Sequence, residues 1–199
     1  LPLPPQWRQG DWPAHPVIDH FRRFFDFHPQ FEEPQIRRLL AAYYGACSFL
    51  DEQIGRVLTQ LEALGLTQST RVIYSSDHGE HLGGRGIFGK FSLYDESAAV
   101  PMIAAGPDVP QGAVCRTPTS LVDLYPSIIE SVGAESHNDD AGLPGRSLWT
   151  IASNPDAQRT VLSEYHAVGS QHASYMIRDE RYKYNHYVGA PAQLFDMVS

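Results

Sequence analysis

Positive charge and long hydrophobic runs are both scarce in this sequence of 199 residues. Lys and Arg together number 15 against 23 Asp and Glu, which gives a formal net charge of −8. Proteins that bind a nucleic-acid backbone depend on clustered Lys and Arg, so this balance argues against that class and favours a small solute as the partner. No stretch approaches the roughly 18 apolar residues that a membrane-spanning helix needs, so we expect no membrane segment.

Cysteine is also rare, with Cys47 and Cys115 alone in the sequence. Two cysteines are too few for a disulfide scaffold in a domain of this size. The first residues lack the charged start and apolar middle of a signal peptide, so we expect a cytoplasmic location, with a periplasmic one if a signal peptide lies upstream. Both ends of the sequence fall within patterned segments, which leads us to expect a piece of a longer protein.

The hydrophobic pattern predicts an α/β arrangement. Apolar residues recur every three or four positions between Pro34 and Leu64, which is typical of a long helix with one buried face. That face comprises Leu40, Tyr43, Tyr44, Cys47, Leu50, Ile54, Val57, Leu58, Leu61 and Leu64. Short buried strands are predicted over 71–76 and 100–107, and a second helix over 120–133. A helix that leads directly into a strand indicates an α/β unit.

The remaining sequence predicts a small second region. Residues 134–157 are polar and are predicted to form a loop. Strands are predicted over 160–166, 174–179 and 181–187, the last two joined as a hairpin. We therefore expect an incomplete α/β domain over 1–157 and a small antiparallel β subdomain over 158–199.

The sharpest chemical signal follows the first predicted strand. Asp77, His78 and Gly79 come directly after it, at the carboxyl end of a strand, where open α/β sheets bind ligands. Gly79 lets the chain turn, so that a carboxylate oxygen and an imidazole nitrogen can meet at one divalent metal ion. The alternative is an Asp that caps a turn beside a partly buried His, and the spacing alone leaves both interpretations open.

Lys90 is the second candidate for chemistry. It follows the loop over 79–89, which carries five glycines and is too glycine-rich for a mere connection. Such a loop could bring backbone N–H groups and the Lys90 ammonium to an anion of the sulfate or phosphate type. A solvated surface lysine is the alternative.

Several other polar side chains are weaker candidates. His81 could reach the Asp-His pair or lie exposed on the loop, and Arg85 could attract an anion or hold the loop. His166 and His172 could line a substrate pocket or lie on the surface. The cations of the last predicted hairpin, Arg178, Arg181 and Lys183, are interpreted as a solvated face.

The order of these motifs resembles the C-terminal half of the sulfatase family, within the alkaline-phosphatase superfamily. In that family a D-x-x-[IV]-G pattern on a long helix precedes a strand, an Asp-His or Asp-Asn metal pair, a glycine, a lysine, a glutamate and a strand led by proline. The matching positions here are 51–55, Asp77, His78, Gly79, Lys90, Glu96 and Pro101. The segments LSEYHAVGS, MIRDERYKY and APAQLFDM resemble the closing small sheet of the family. The likeness runs from about Ile36 to Met197 and is greatest to choline-sulfatase-like and phosphonate monoester hydrolase-like members.

The resemblance implies part of a mixed, alkaline-phosphatase-like central sheet flanked by helices, with a small antiparallel sheet after it. It implies a sulfuric ester hydrolase that acts on a small-molecule sulfate ester. Asp77 and His78 would ligate the metal, usually Ca²⁺ and in some members Mg²⁺ or Mn²⁺. Lys90 would bind the sulfate or its leaving oxygen, and His166 is carried as a further substrate-binding candidate.

This sequence departs from the family pattern at the nucleophile. Sulfatases use a formylglycine made from Cys or Ser within C/S-x-P/A-x-R, together with an upstream pair of aspartates at the metal. Neither Cys47 nor Cys115 stands in such a motif, and Cys47 falls on the apolar helix face, where we expect it in the core. We therefore expect the nucleophile upstream and predict that these 199 residues alone are inactive.

Two alternatives stay open at this point. A phosphonate monoester or phosphodiester hydrolase of the same superfamily would use a metal and a lysine on phosphoryl oxygens in the same way. A non-catalytic interaction domain could also keep the fold. The intact enzyme could in addition form a homo-oligomer.

Overall fold

The computed structural model describes residues 1–27, 31–155 and 158–198. The chain divides into two compact units, residues 1–110 with 167–171 and residues 111–166 with 172–199. In this division the segment 111–157 groups with the C-terminal strands, while the boundary after residue 157 stays a prediction. None of the helices within the described ranges has both the length and the apolarity that crossing a bilayer requires.

The first unit contains α-helices and one pair of short strands. Its elements are α1 (Pro16–Phe24), α2 (Glu33–Ala63), β1 (Val72–Ser75), α3 (Asp95–Ala98) and β2 (Met102–Ala105). The two strands are antiparallel, with Val72 opposite Ala105 and Ser75 opposite Met102. Both predicted strands are present, but they are not buried as expected, since Tyr74 and Ile103 are 37% and 60% exposed. Their register brings the chain that leaves β1 beside the chain that enters β2.

The ends of α2 follow the expected capping chemistry. Glu32 and Gln35 form a reciprocal capping box at the start, and proline stands in the first turn. At the other end Gly65 adopts a positive φ of 69°. The N–H of Leu66 donates to the carbonyl of Leu61 at 3.1 Å, and the N–H of Gly65 donates to Glu62 at 2.9 Å. This is a Schellman ending, in which glycine satisfies the last carbonyls of the helix.

The apolar face of α2 differs from the prediction, because most of it is exposed in this chain. Of the 31 residues of the helix, Ile36 and Leu40 are buried, whereas Leu50 and Val57 are 48% and 68% exposed. Cys47 is exposed as well, so its expected place in the core is wrong. A 31-residue helix is about 46 Å long and a four-residue strand about 13 Å. The β1–β2 pair is therefore too short to cover it.

The core of the first unit forms around the glycine-rich loop instead. Val17, Ile18 and Phe21 of α1 are at most 2% exposed. From the other side Ile87 is fully buried and Leu93 nearly so. The loop is therefore part of the packed interior, which fixes its conformation.

The second unit combines short helices with an antiparallel sheet. The helices are a 3₁₀ turn (Leu121–Asp123) that continues into α4 (Leu124–Ser131), a second 3₁₀ turn (Asn138–Gly142) and α5 (Leu148–Ser153). The sheet has the order β3 (Val161–Tyr165), β4 (Ser174–Arg178), β5 (Tyr182–Tyr187) and β6 (Ala190–Asp196), with all neighbours antiparallel. The three predicted strands are confirmed, and β6 adds a fourth at the edge.

Two expectations for this unit are wrong. The segment 134–157 contains α5, which is capped by the Ser147 hydroxyl and buries Leu148 and Ile151. Its six residues are too few to show a helical period in sequence. Lys183 is 2% exposed rather than solvated, because it shares the covered face of β5 with Asn185, and alternate strand residues point to opposite faces.

Candidate metal and anion site

Asp77 and His78 meet directly after β1. The Nε2 atom of His78 lies 3.4 Å from the Oδ2 atom of Asp77, and the Nδ1 atom of His78 lies 2.9 Å from the carbonyl of Gly79. A carbonyl only accepts hydrogen bonds, so the ring carries its hydrogen on Nδ1 and presents the lone pair of Nε2 beside the carboxylate. The sequence expectation that the two side chains converge agrees with this geometry.

Gly79 is required by a close approach of backbone. A Cβ atom at this position would lie 2.1 Å from the carbonyl oxygen of Glu96. The N–H of Gly79 donates to the carbonyl of Ser97 at 2.8 Å, and the hydroxyl of Ser75 donates to the carbonyl of Pro101 at 2.9 Å. The backbone of the segment that leads into β2 thus fixes the Asp-His turn by hydrogen bonds.

The carboxylate of Asp77 is exposed and stays ionised. Its side chain is 83% exposed. Desolvation raises the pKa of Asp77, but the adjacent His78 ring, two backbone N–H groups and the charge of Lys90 together outweigh it and hold the pKa below its ordinary value. An ionised, accessible carboxylate is the form that a divalent cation binds.

Lys90 completes the cluster. Its Nζ atom lies 2.5 Å from the Nε2 atom of His78. An ammonium only donates hydrogen bonds, so Nε2 must accept, which agrees with a hydrogen on Nδ1. The ammonium therefore stands beside the same lone pair and carboxylate that would face a metal ion. Lys90 thus places a positive charge beside the Asp77 and His78 side chains.

The donor set fits a divalent metal only in part. One carboxylate and one imidazole are ligands of compatible type, and the carbonyl of Gly79 orients the ring as an outer-shell partner would. Across residues 1–27, 31–155 and 158–198, no group of three or more His, Cys, Asp or Glu side chains is arranged to hold a metal. Within the described residues, Asp77 and His78 therefore offer two possible metal ligands, and any further ligand would come from outside the described ranges or from solvent.

The loop between His78 and Lys90 is closed as a hairpin. The N–H of His81 donates to Gly89 at 3.0 Å, and the N–H of Gly83 donates to Ile87 at 2.9 Å. The carboxylate of Glu80 accepts from the N–H of Leu82 at 3.0 Å and from the N–H of Gly89 at 2.6 Å. Glu80 was not singled out from the sequence, where a glutamate after Asp-His-Gly carries no distinctive spacing.

His81 and Arg85 stabilise this loop. His81 is 2% exposed, and its Nε2 atom lies 2.8 Å from the Ser92 hydroxyl. Of the two positions left open for His81, the exposed one is therefore wrong. Arg85 forms an ion pair with Glu96, and its guanidinium lies 4.6 Å from the centre of the Tyr94 ring. Of the two roles left open for Arg85, holding the loop matches these contacts.

The remaining two candidate histidines, His166 and His172, lie in the second unit. The ring of His166, just after β3, is 5.0 Å from the ring of Tyr175, and its Nε2 atom is 4.0 Å from the Glu164 carboxylate. The Nδ1 atom of His172 lies 2.7 Å from the carbonyl of Val188. The substrate-binding role of His166 stays a prediction.

Comparison with known proteins gives consistent matches. Residues 11–134 match the family model described as Sulfatase. The chain is 33% identical over 180 residues to an arylsulfatase K of Mus musculus and 33% identical over 165 residues to a choline-sulfatase of Rhizobium meliloti (strain 1021). These alignments cover 84% and 83% of this chain and 32% of each relative. The chain thus spans about a third of the length of the curated relatives it matches.

The fold comparison extends over nearly the whole chain. A phosphonate monoester hydrolase from Silicibacter pomeroyi superposes with a TM-score of 0.82 at 28% sequence identity. The superposition covers 99% of this chain and 44% of that one. The α/β architecture with antiparallel strands described above is therefore shared with a solved hydrolase structure.

Proposed function

This chain belongs to the sulfatase family, and we propose that it supplies metal-binding and sulfate-binding residues to a metal-dependent sulfuric ester hydrolase. The observation that carries the proposal is the cluster of Asp77, His78 and Lys90, which brings a carboxylate, an imidazole lone pair and an ammonium to one exposed point. A small-molecule sulfate ester is the proposed substrate class.

Asp77 and His78 would hold the divalent metal. When bound, the metal would neutralise charge on the sulfate oxygens as a Lewis acid. Carboxylate oxygen suits Ca²⁺, Mg²⁺ and Mn²⁺, whereas imidazole suits the transition metals better, and from the family resemblance we propose Ca²⁺ first. The hydrogen bond from His78 Nδ1 to the Gly79 carbonyl keeps Nε2 available for the cation.

Lys90 would act on the sulfate group itself. Its ammonium donates hydrogen bonds and carries a compact positive charge. Placed beside the metal ligands, it can stabilise the negative charge that grows on the leaving oxygen as the ester bond breaks. In the presence of a metal, the ammonium would turn from Nε2 of His78 towards the sulfate, since both cations compete for the same lone pair.

The nucleophile is proposed to lie outside these 199 residues. Cys47 is followed by Ser-Phe-Leu-Asp and Cys115 by Arg-Thr-Pro-Thr, and neither sequence fits the formylglycine motif that the family uses. The share of each relative that the alignments leave uncovered is large enough to carry the motif and the remaining acidic ligands. The present chain therefore contributes the electrostatic part of the site.

Hydrolysis of a phosphonate monoester or phosphodiester is a second candidate, favoured by the match to the Silicibacter pomeroyi enzyme. The same cluster can stabilise phosphoryl oxygens. Parallel assays of the full-length protein with 4-nitrophenyl sulfate and 4-nitrophenyl phenylphosphonate separate the two activities, and the ester with the higher kcat/KM identifies the preferred class. Turnover of neither ester, with or without Ca²⁺, Mg²⁺ or Mn²⁺, would favour a non-catalytic domain.

A further inference from the structure

Arg22 of α1 is a buried cation that contacts the glycine-rich loop. It is 2% exposed. Its Nε and Nη2 atoms both donate to the carbonyl of Arg85, at 2.9 and 2.7 Å. Its Nη1 atom donates to the Asp19 carboxylate at 2.6 Å and to the Pro13 carbonyl at 3.3 Å. A buried charge is tolerated only when it is paired, and Asp19 provides that pairing while the rest of the guanidinium binds the loop.

The carbonyl that Arg22 holds belongs to a strained turn. Arg85 has a positive φ of 55°, a conformation that persists only when the surroundings impose it. The guanidinium of Arg22 also lies 4.9 Å from the centre of the Trp12 ring. On that ring rests Gly86, where a Cβ atom would lie 2.2 Å from the indole. Arg22 and Trp12 thus contact the tip of the loop, Arg85 and Gly86, from the same side chain cluster.

The loop tip is connected to Lys90 by backbone hydrogen bonds. The hairpin pairs Gly83 with Ile87 and His81 with Gly89, and the Glu80 carboxylate also binds the N–H of Gly89 at 2.6 Å. Lys90 is the next residue. A displacement of the tip would therefore pass through these backbone hydrogen bonds to the backbone of Lys90.

We propose that Arg22 is a positioning residue that holds Lys90 beside the metal ligands through the carbonyl of Arg85. This inference rests on the proposed function, because it assigns Lys90 a role in hydrolysis. Arg22 touches neither the metal ligands nor the ammonium in the contacts described above. Its effect must therefore pass through the loop, and it should disappear when Lys90 is removed.

A double-mutant cycle in the full-length protein tests the coupling. Arg22→Lys keeps the charge and the pairing with Asp19 but cannot place two donors on the Arg85 carbonyl. It should lower kcat/KM for 4-nitrophenyl sulfate, or for the phosphonate if that is the preferred ester, by roughly 10-fold or more. In a Lys90→Ala background the same substitution should change kcat/KM by less than about 2-fold. Amide hydrogen exchange at residues 81–89 should become faster in Arg22→Lys.

Arg159 provides a matched control. It is also a buried arginine (9% exposed) that binds a carboxylate and a carbonyl, those of Asp123 and Pro118, but it lies in the second unit. Arg159→Lys should destabilise the fold to a similar extent without changing exchange at 81–89. If Arg22→Lys does not fold, Trp12→Phe, which shrinks the ring beneath the guanidinium, replaces it in the cycle with the same expectation.

The outcomes distinguish the inference from the proposed function. If the double variant loses kcat/KM by the product of the two single losses, the two residues act independently. That result would overturn the positioning role of Arg22 and leave the proposed function standing. So would an equal loss of activity in Arg159→Lys at equal destabilisation, since global stability would then explain the effect. A Lys90→Ala enzyme with unchanged kcat/KM would refute the role of Lys90 and the inference with it.

Discussion

Replacement of Lys90 by alanine tests the proposed electrostatic role most directly. The ammonium lies 2.5 Å from Nε2 of His78 and is exposed, so its removal takes charge from the site without opening a cavity in the core. Removal of one preorganised donor to a developing charge typically costs roughly 10²-fold in rate, or about 2.7 kcal/mol of transition-state stabilisation. We expect Lys90→Ala to lower kcat/KM of the full-length enzyme by that amount, with little change in stability.

Two further variants sharpen the comparison. Lys90→Arg keeps the charge but replaces a compact ammonium with a planar fork, so we expect poor rescue of activity. Arg116→Ala removes an exposed cation from the second unit and should leave kcat/KM within about 2-fold of the parent, the range of a surface change. Lys183, the other lysine of the chain, is unsuitable as a control because it is buried.

The assay is steady-state hydrolysis of the preferred nitrophenyl ester, read as kcat and KM separately. If Lys90 meets charge that appears only as the bond breaks, kcat falls and KM changes little. A rise in KM at constant kcat would mean that Lys90 binds the ground-state ester instead. The Arg116→Ala control should show normal activity in the same assay. If Lys90→Ala then also keeps near-normal kcat/KM, the anion-binding role is refuted.

Three other perturbations follow from the contacts. Asp77→Asn removes the charge of the proposed metal ligand. It should weaken Ca²⁺ or Mn²⁺ binding, measured by calorimetry on the full-length protein, by roughly 10-fold or more, since even outer-shell partners act on that scale. Gly79→Ala places a Cβ atom 2.1 Å from the Glu96 carbonyl and should cost about 1–3 kcal/mol in urea unfolding, unlike Gly45→Ala, where nothing lies within 4 Å. Two backbone N–H groups lower the pKa of Asp179, so its stabilisation is present above the unfolded value of about 3.9 and is lost as pH falls through the folded value. Asp179→Ala should accordingly lower Tm at pH 7, and the difference from the parent should vanish in acid.

The parts of the fold that sequence predicts well are those decided locally. The start of α2 at Glu33 and its end before Gly65 depend on capping residues a few positions apart. The strands of the second unit show period-two patterns within five to seven residues. Asp77 and His78 are adjacent in the chain, so a single turn suffices to bring them together.

The parts that sequence predicts poorly depend on what covers each surface. The apolar period of α2 correctly predicts a helix, but Val57 at 68% exposure shows that the period does not tell which part of the apolar face is covered. The same limit applies to Lys183, whose strand alternates in a way that is visible in sequence. Which of the two faces is covered is decided by tertiary packing, and a lysine is a poor indicator of that choice.

The supporting residues of the site illustrate a further limit. Glu80 and Arg22 contact the loop through backbone atoms, the N–H of Gly89 and the carbonyl of Arg85. A side chain that recognises a backbone group leaves no complementary residue type at its partner position, so no motif or charge pattern reveals the pair. The residues proposed to present charge to a ligand could be singled out from sequence, whereas those that contact the loop through its backbone need coordinates. For this chain the distinction separates Lys90, found from its place after the glycines, from Arg22, which lies 63 residues before the carbonyl it binds.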